Sequence, residues 1–227
     1  MRFDRILSTY LNAISPPDST LLFDRIADSL ATTGYCIYPQ ALPGALTDRM
    51  YRYMQELERE EFRRAGIGRD QEQQLNRQVR GDQIRWLSAG QPDEAAYLEW
   101  MERLRIGINR RLMMGLFDYE CHFSRYPQGA FYRRHMDAFK GRTNRVLSTV
   151  CYLNPDWKTS SGGELLIYAD EQGQEPIERV EPCYGTLVVF LSDRFPHEVL
   201  PAQRERLSLT GWYRVNNSLG GIVDPPR

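Results

Sequence analysis

Only three histidines occur in this chain of 227 residues, and two of them stand in patterns that suit metal binding. His135 and Asp137 lie two positions apart, so on an extended segment both side chains project from one face and reach the same ion. His197 follows TLVVFLS, an apolar run typical of a buried strand. Two imidazoles and one carboxylate are a ligand set for Fe(II) that leaves three adjacent coordination positions open. We therefore predict a metal site at His135, Asp137 and His197, whereas His122 is expected to pack within a strand.

Arg206, nine residues after His197, indicates what kind of ligand would bind beside such a metal. Arg206 begins the run RLSLTGW, whose alternation predicts a strand with one face shared by Arg206, Ser208, Thr210 and Trp212. A guanidinium at that place can form a two-pronged salt bridge with the far carboxylate of a dicarboxylate ligand, which lysine cannot reproduce. Tyr152 lies in the run VLSTVCYL, where the alternation predicts that its hydroxyl can donate to the same carboxylate.

The elements that must hold these residues change character along the chain. From residue 119 onward, short β-rich runs are separated by clusters of Gly, Pro, Asn and Asp, and no helix-length amphipathic pattern lies between them. Parallel strands need such helical crossovers, so we predict antiparallel strands in a sandwich or jelly roll. The runs are YECHFSRY, VLSTVCYL, ELLIY, TLVVFLS and LSLTGWY.

Helices are predicted in the first half of the chain. Their apolar residues recur at spacings of three and four, which indicates faces packed on a core. Gly34 closes the first helix as a C-terminal cap, and a short strand follows it. The predicted helices run from Asp18 or Ser19 to Gly34, from Thr47 to Arg64 and from Pro92 to Leu112.

A polar segment, GRDQEQQLNRQVRGDQIRWLS at residues 68–88, lies between the second and third predicted helices. It is rich in Gln and Arg and carries few apolar anchors, of which Trp86 is the largest. Two readings stay open from the residues alone: a solvated loop or hairpin, and a mobile lid over a cleft.

Composition narrows the classes of protein that the chain can belong to. The 29 Lys and Arg against 30 Asp and Glu give a formal charge of −1, which argues against a nucleic-acid partner. The four cysteines form no CxxC pair, so reduced thiols are expected. The first residues contain no continuous apolar core of a signal peptide, and no apolar run approaches the roughly 20 residues of a membrane helix. We expect a soluble cytoplasmic protein without a membrane partner.

Further motifs surround the candidate ligands. They comprise YP at 126–127, YRRHMD at 132–137, YLNPDW at 152–157, SGGEL at 161–165, SDR and PHEV within 192–199, and RGDQIRW at 80–86. Together these motifs resemble the Fe(II)/2-oxoglutarate-dependent oxygenases, and within them the prolyl hydroxylases that modify the hypoxia-inducible factor. The resemblance extends from about residue 20 to residue 216. Two departures are a spacing between Tyr126 and His135 that is one residue shorter, and Cys151 in place of an aromatic residue.

The resemblance implies a fold, a set of cosubstrates and roles for named residues. The fold would be mainly β with flanking helices: a double-stranded β-helix, or jelly roll, supported by N-terminal helices. A single domain would span residues 1–227, with helical support and lid to about 118, the core over 119–216 and a tail over 217–227. Cofactors would be Fe(II), 2-oxoglutarate and O2, with ascorbate in a supporting role. Catalysis would rest on His135, Asp137 and His197 as iron ligands, and 2-oxoglutarate would be bound by Arg206, Tyr152, Tyr126, Leu165, Trp212 and Thr210.

The resemblance also implies a reaction and a kind of substrate. The expected activity is hydroxylation of a prolyl residue in a protein, with release of succinate and CO2, and elongation factor Tu is a candidate substrate. The segment at 68–88 would then be a lid whose Asp82 pairs with Arg145. Substrate contacts would come from Arg145, Trp86, Asp82 and Tyr132.

Two other functions stay open at this point. One is an oxygenase of the same fold acting on a small molecule or an alkylated base, which would need a closed pocket or a basic aromatic groove. The other is a non-catalytic, cupin-like iron-binding sensor, which would have no use for an arginine and a tyrosine facing the metal.

Overall fold

The structure, a computed structural model, describes residues 19–65, 79–138 and 144–216. The predicted tail at 217–227, the candidate cap Asp18 and residues 66–78 of the polar segment lie outside the described residues. The α-helices of the described parts are α1 (Ser19–Thr32), α2 (Gly44–Glu56) and α3 (Pro92–Leu112). The strands are β1 (Tyr35–Tyr38), β2 (Arg63–Arg64), β3 (Gln83–Trp86), β4 (Leu116–Tyr126), β5 (Tyr132–His135), β6 (Arg145–Tyr152), β7 (Leu165–Ile167), β8 (Glu178–Val180), β9 (Leu187–Leu191), β10 (His197–Val199) and β11 (Arg206–Val215).

Helix ends follow local backbone chemistry, and α2 differs from its prediction at both ends, since it begins at Gly44 rather than Thr47 and stops well before Arg64. Gly34 has φ +87°, a left-handed conformation that glycine adopts without strain, so α1 ends as predicted. The predicted helix to Arg64 ends instead at Glu56, because Leu57 is already extended with ψ 131°. Just beyond, the Glu61 carboxylate accepts the backbone N–H of Glu58 at 3.1 Å, which stabilises a separate 3₁₀ turn. In the described residues, no helix is at once long enough and apolar enough to cross a lipid bilayer.

Two antiparallel sheets form the strand-rich part, as predicted. The major sheet has seven strands in the order β1-β9-β6-β11-β4-β3-β2, and the minor sheet has four in the order β5-β10-β7-β8. Apolar residues from both sheets meet in one buried cluster between them, including Tyr152 and Phe190 from the major sheet and Leu165 and Val199 from the minor one. The two sheets therefore face each other as in a jelly roll, which confirms the predicted fold class.

The period-2 alternation of the major sheet separates its two faces. On β6, Leu147 and Cys151 belong to the cluster that includes the three helices, whereas Val150 and Tyr152 belong to the cluster between the sheets. The helices cover one face of the major sheet, so the other face is left to line the interior of the jelly roll. Side chains of that inner face, together with the minor sheet, form the site described below.

Candidate metal and carboxylate site

Two of the candidate ligands are brought together by the minor sheet. β5 and β10 pair antiparallel with His135 directly opposite His197, and the centres of their rings are 4.3 Å apart. Both residues stand at strand ends, His135 as the last residue of β5 and His197 as the first of β10. Sixty-two positions separate them in the chain, so only the strand pairing makes them neighbours.

Asp137 completes a three-residue cluster. It follows β5 by two residues, and its Oδ1 lies 3.6 Å from Nε2 of His135 while its Oδ2 lies 3.6 Å from Nε2 of His197. One ligand atom from each residue falls within 4.8 Å of the others, which is the spacing that a single metal ion requires. Asp137 and both histidines are at most partly exposed. The sequence-predicted triad is therefore assembled in one place.

Each imidazole is held by its other ring nitrogen. Nδ1 of His135 lies 2.8 Å from the carbonyl oxygen of Arg133, and Nδ1 of His197 lies 3.0 Å from that of Phe195. A proton on each Nδ1 satisfies these carbonyls and leaves Nε2 of each ring as a lone-pair donor towards Asp137. The backbone thus selects the tautomer that a metal needs.

The charge states of the cluster also match those of metal ligands. Burial lowers the pKa of His197 to about 4, and the nearby His135 acts in the same direction. Burial alone would raise the pKa of Asp137, but the pKa lies well below its usual range because a histidine that gains a proton on acidification favours the neighbouring carboxylate, and because the Ser148 hydroxyl donates to it. At neutral pH the cluster therefore offers a neutral imidazole and a carboxylate, the forms that bind divalent metals.

Arg206 lies buried on the inner face of the major sheet without an acidic partner. Only 2% of the residue is exposed, and no carboxylate of the described residues lies within ion-pair distance of it. Its Nε donates to the carbonyl oxygen of Gly163 at 2.8 Å, and its guanidinium lies about 5 Å from the ring centres of Tyr126 and Tyr152. A buried cation costs several kcal/mol unless a counter-charge is supplied. This environment fits an anionic ligand.

Two unpartnered hydroxyls lie near this cation. Tyr152 and Ser208 are directly opposite each other on β6 and β11, and their buried hydroxyls have no hydrogen-bond partner among the described residues. The buried indole N–H of Trp212 is also unpartnered, but Trp212 is opposite Ser148, at the end of these strands nearer Asp137. Burial raises the pKa of Tyr152 to about 12, so its hydroxyl keeps its proton and donates at neutral pH. Such orphaned groups are rare in folded proteins. Together with Arg206 the hydroxyls of Tyr152 and Ser208 fit the carboxylate of a 2-oxoglutarate-sized ligand, and Ser208 had been assigned no role from the sequence.

The other predicted cosubstrate contacts lie around the same interior. Tyr126 is directly opposite Arg206 in the pairing of β4 with β11, and burial raises the pKa of its hydroxyl. Leu165 is 2% exposed on β7 and belongs to the same buried cluster as Tyr126 and Tyr152. Thr210 differs from its neighbours, because its hydroxyl accepts a hydrogen bond from Ser124 at 3.2 Å.

Aromatic and basic side chains form the outer part of the site. Trp86 is 48% exposed, and its ring lies 6.4 Å from that of Trp212. The guanidinium of Arg145 stacks 3.6 Å above the Trp212 ring. Tyr132 stacks face to face on the His135 imidazole with ring centres 3.6 Å apart. Three of the four predicted substrate contacts, Trp86, Arg145 and Tyr132, thus contact residues of the metal or cosubstrate set.

The predicted pair between Asp82 and Arg145 is not the one that the structure contains. Asp82 forms a two-bond ion pair with Arg80, at 2.6 and 2.7 Å, while Arg145 pairs with Glu120 at 2.9 Å. Asp82 and Arg80 flank Gly81 on an extended segment, so both side chains emerge on one side and meet locally. The Asp82 side chain is fully buried in this pair. The Arg80 guanidinium also lies 4.4 Å from the centre of the Tyr132 ring.

His122 stands apart from the metal cluster, as predicted. It is 1% exposed on β4, and its Nδ1 lies 3.1 Å from the Ser124 hydroxyl. Burial lowers the pKa of His122 to about 4, so its ring is neutral at physiological pH. Its ring packs 5.0 Å from Trp86, which places a neutral, buried imidazole behind the outer part of the site.

The supporting residues Ser148 and Arg80 were missed by sequence reasoning. The Ser148 hydroxyl donates to Oδ2 of Asp137 at 2.6 Å, and the period-2 alternation of VLSTVCYL puts Ser148 on the same strand face as Tyr152. That alternation was a usable signal. The opposite charges of Arg80 and Asp82 two positions apart were also a usable signal for their local pair, whereas the contact of Arg80 with Tyr132 depends on a bridge that sequence spacing does not reveal.

Comparison with known sequences matches the strand-rich part of the chain to an enzyme family. The family model of the 2OG-Fe(II) oxygenase superfamily matches residues 121–214. The chain is 32% identical over 152 residues to Egl nine homolog 1 of Mus musculus, covering 63% of this chain and 37% of that protein. It is 36% identical over 90 residues to the hypoxia-inducible factor prolyl hydroxylase of Caenorhabditis elegans, covering 39% and 12% respectively. The chain therefore spans well under half the length of these curated relatives.

Solved structures give matches over more of the chain. A prolyl-4-hydroxylase from Pseudomonas putida is 43% identical with a TM-score of 0.76, and the match covers 86% of this chain and all of that one. A Trichoplax adhaerens prolyl hydroxylase, solved in complex with a peptide of the hypoxia-inducible factor oxygen degradation domain, is 28% identical with a TM-score of 0.72. That match covers 87% of this chain and 90% of the other.

Proposed function

The chain belongs to the 2OG-Fe(II) oxygenase superfamily, and on that premise we propose that it hydroxylates a prolyl residue in a protein substrate. Members of this family use Fe(II), 2-oxoglutarate and O2. When bound, the iron and its cosubstrate supply the oxidising chemistry: one oxygen atom of O2 enters the substrate as a hydroxyl, and the other enters succinate as CO2 is released. The protein's own residues bind and orient the iron, the cosubstrate and the substrate, and they exclude water from the site.

The iron would be held by His135, Asp137 and His197. Their Nε2 and carboxylate atoms converge within 4.8 Å, and the backbone carbonyls that fix the two imidazoles leave those nitrogens unprotonated. Three protein ligands leave the remaining coordination positions for exogenous groups. A closed structural site would have used a fourth side chain, and the described residues offer no further His, Cys, Asp or Glu to this cluster.

The buried cation of Arg206 is the single observation that carries the cosubstrate assignment. A 2-oxoglutarate carboxylate would neutralise it and accept from the unpartnered hydroxyls of Tyr152 and Ser208. Tyr126, Leu165, Thr210 and Trp212 would line the same interior. A metal-binding sensor without a cosubstrate would leave this cation uncompensated, so the arrangement supports an enzyme over a sensor.

The outer part of the site supports a peptide rather than a small buried substrate. Trp86 is half-exposed beside Trp212, Arg145 stacks on the Trp212 ring, and Tyr132 stacks on the candidate ligand His135. Open aromatic faces with guanidinium neighbours suit an extended, proline-containing segment. The Trichoplax adhaerens relative, which was solved with a protein-derived peptide, also supports a peptide substrate. Asp82 would contribute through Arg80 and Tyr132 rather than through Arg145.

Among protein substrates, we put forward elongation factor Tu as the first to test, on the resemblance to bacterial prolyl hydroxylases. The protein would be reconstituted anaerobically with Fe(II), exposed to O2 with 2-oxoglutarate and purified elongation factor Tu, and the products read by mass spectrometry. A gain of one oxygen atom on a proline, matched by succinate, is expected.

Controls separate the parts of this proposal. Proline-to-alanine substitution at the modified site should abolish the gain of mass. Hydroxylation of other proteins but not of elongation factor Tu would remove only the candidate substrate. If no substrate elicits succinate and no Fe(II)-dependent 2-oxoglutarate binding occurs, the oxygenase assignment itself is wrong.

A further inference from the structure

Asp137 differs from the two histidine ligands in which sheet holds it. His135 and His197 face each other within the minor sheet, whereas Asp137 is fastened to the major sheet. The Ser148 hydroxyl on β6 donates to its Oδ2 at 2.6 Å, and the next residue, Ala138, donates its N–H to the carbonyl oxygen of Ser192 at 3.2 Å. The metal cluster therefore bridges the two sheets, and its geometry depends on that fastening.

The fastening is a chain of two buried hydroxyls. Ser148 and Ser192 are 1% and 0% exposed, and their hydroxyl oxygens lie 2.9 Å apart. A serine hydroxyl has one proton, and Ser148 uses its proton towards Asp137, so Ser192 donates to Ser148. Each donation polarises the next hydroxyl, which strengthens the final bond to the carboxylate. The Asp137 carboxylate is thereby held with one oxygen engaged.

We propose that Ser148 is the positioning residue of this site: with Ser192 behind it, it fixes the orientation of the Asp137 carboxylate and so sets the affinity of the cluster for its metal. The inference rests on the iron site of the proposed function but not on any substrate. Without the hydroxyl, the Asp137 carboxylate, which lies beyond the end of β5, loses the hydrogen bond that fixes its orientation, and metal binding must then order it. Groups that orient metal ligands typically change metal affinity about 10- to 100-fold when removed.

A neighbouring threonine provides a matched control. Thr149 is the next residue of β6 and is also fully buried, but its side chain lies on the opposite face, where its hydroxyl bonds to Tyr119 at 2.8 Å. Thr149→Val removes a buried hydroxyl from the same strand without touching Asp137. A loss that merely reflects damage to β6 would appear in both variants, whereas a loss through Asp137 would appear in Ser148→Ala alone.

The test is a titration of the metal-free full chain with Co(II), followed by calorimetry, in wild type, Ser148→Ala, Ser148→Thr and Thr149→Val. Ser148→Ala is expected to bind Co(II) about 10- to 100-fold more weakly. Ser148→Thr, which restores a hydroxyl, should recover most of the affinity, and Thr149→Val should equal wild type. Ser192→Ala should give a smaller loss than Ser148→Ala and serves as the second variant if Ser148→Ala fails to fold.

The visible absorption of the anaerobic complex with Fe(II) and 2-oxoglutarate supplies a second readout, and it should shift in Ser148→Ala but not in Thr149→Val. Wild-type Co(II) affinity in both Ser148→Ala and Ser192→Ala would overturn the inference, and so would equal losses in Ser148→Ala and Thr149→Val. No substrate enters these measurements, so a failure to hydroxylate proline would leave their outcome intact. A wild-type chain that bound no metal would overturn the iron site and this inference together.

Discussion

The site has a metal end, formed by His135, Asp137 and His197, and a cosubstrate end around Arg206. At the metal end, each of the three ligands has a hydrogen bond to the protein that orients it before any ion binds. At the cosubstrate end, on β6 and β11, the buried cation of Arg206 has no acidic partner among the described residues, and the Tyr152 hydroxyl beside it is unpartnered. The first end is satisfied by the fold alone. The second end is incomplete until an anion binds.

The difference reflects what each end has to recognise. Metal ligands must be preorganised, because an ion selects by geometry and ligand protonation. A charged organic cosubstrate can bring its own hydrogen-bond acceptors, so the protein gains affinity by leaving donors unsatisfied. Removing an orienting group at the metal end should therefore weaken metal binding. Removing the cation at the cosubstrate end should weaken 2-oxoglutarate binding but raise the free energy of unfolding of the cosubstrate-free protein.

The largest effect is expected from the metal ligands. Asp137→Ala and His135→Ala should abolish iron-dependent succinate formation, because two ligands cannot hold the ion in competition with buffer. Oxygen consumption and Co(II) calorimetry would be measured together. His122→Asn, a substitution of the third histidine outside the cluster, should retain Co(II) binding. Full activity in either ligand variant would show that the ligand assignment is wrong.

Arg206→Met should test the cosubstrate end of the site. Loss of the buried cation is expected to raise the 2-oxoglutarate requirement at least about 100-fold, since an unpaired buried carboxylate costs 3–5 kcal/mol or so. Arg206→Lys should also raise it sharply, because an ammonium cannot make the two-pronged contact. Steady-state kinetics and 2-oxoglutarate binding would check both.

The same Arg206→Met variant should raise the free energy of unfolding of the cosubstrate-free protein, by roughly 1 kcal/mol, because an uncompensated charge leaves the interior. Urea denaturation with and without 2-oxoglutarate measures this. A variant less stable than wild type in both conditions would mean that the fold alone stabilises the cation.

Lowering the pH should protonate the buried imidazoles and so lower the free energy of unfolding, but it should not change the protonation of Tyr152 at the cosubstrate end. His122 and His197 have pKa values near 4 in the folded chain because burial disfavours their charged forms, against about 6.5 when unfolded. Between those values the unfolded state binds more protons, so the free energy of unfolding falls as pH drops from 6.5 towards 4. The pKa of Tyr152, about 12, lies far above this range.

Each imidazole is worth on the order of 3 kcal/mol of this loss. Urea denaturation of the metal-free chain across this pH range would show it, and His122→Gln should remove about half of the pH dependence. An unchanged pH dependence in that variant would mean that His122 is already charged in the folded protein.

The smallest effect is expected from the unpartnered hydroxyls. Tyr152→Phe should raise the 2-oxoglutarate requirement about fivefold, the value of one hydrogen bond near 1 kcal/mol. It should leave the stability of the cosubstrate-free protein unchanged, because the hydroxyl makes no bond to lose. Ser208→Ala is expected to behave alike. A marked loss of stability in both would show that these hydroxyls serve the fold.

Much of the fold was predictable because its signals are local. The change from helix-length apolar spacing to short alternating runs correctly placed α3, β4, β6 and β11. The predicted helix end at Arg64 was wrong, since the competition between a helix and the Glu58–Glu61 turn is decided by hydrogen bonds that apolar periodicity does not report. Residues 66–78 lie outside the described residues, so the lid stays a prediction.

The sequence by itself determined the chemical types at the site: the HMD pattern, His197 after its strand, and Arg206 with Tyr152 on alternating positions. Arg206 and Tyr152 lie on the same inner face, as the sequence predicts, because side-chain direction along a strand has a fixed period of two. Only the tertiary structure decided the partners of these residues. Ser148 came to support Asp137, Arg80 took Asp82 from the expected Arg145, and Arg206 was left without an acid. The contact of Ser148 with Asp137 and the surroundings of Arg206 depend on strand pairing and register, which residue spacing cannot encode. The pair of Arg80 with Asp82 is local, but only the fold kept Arg145 away from Asp82 and paired it with Glu120.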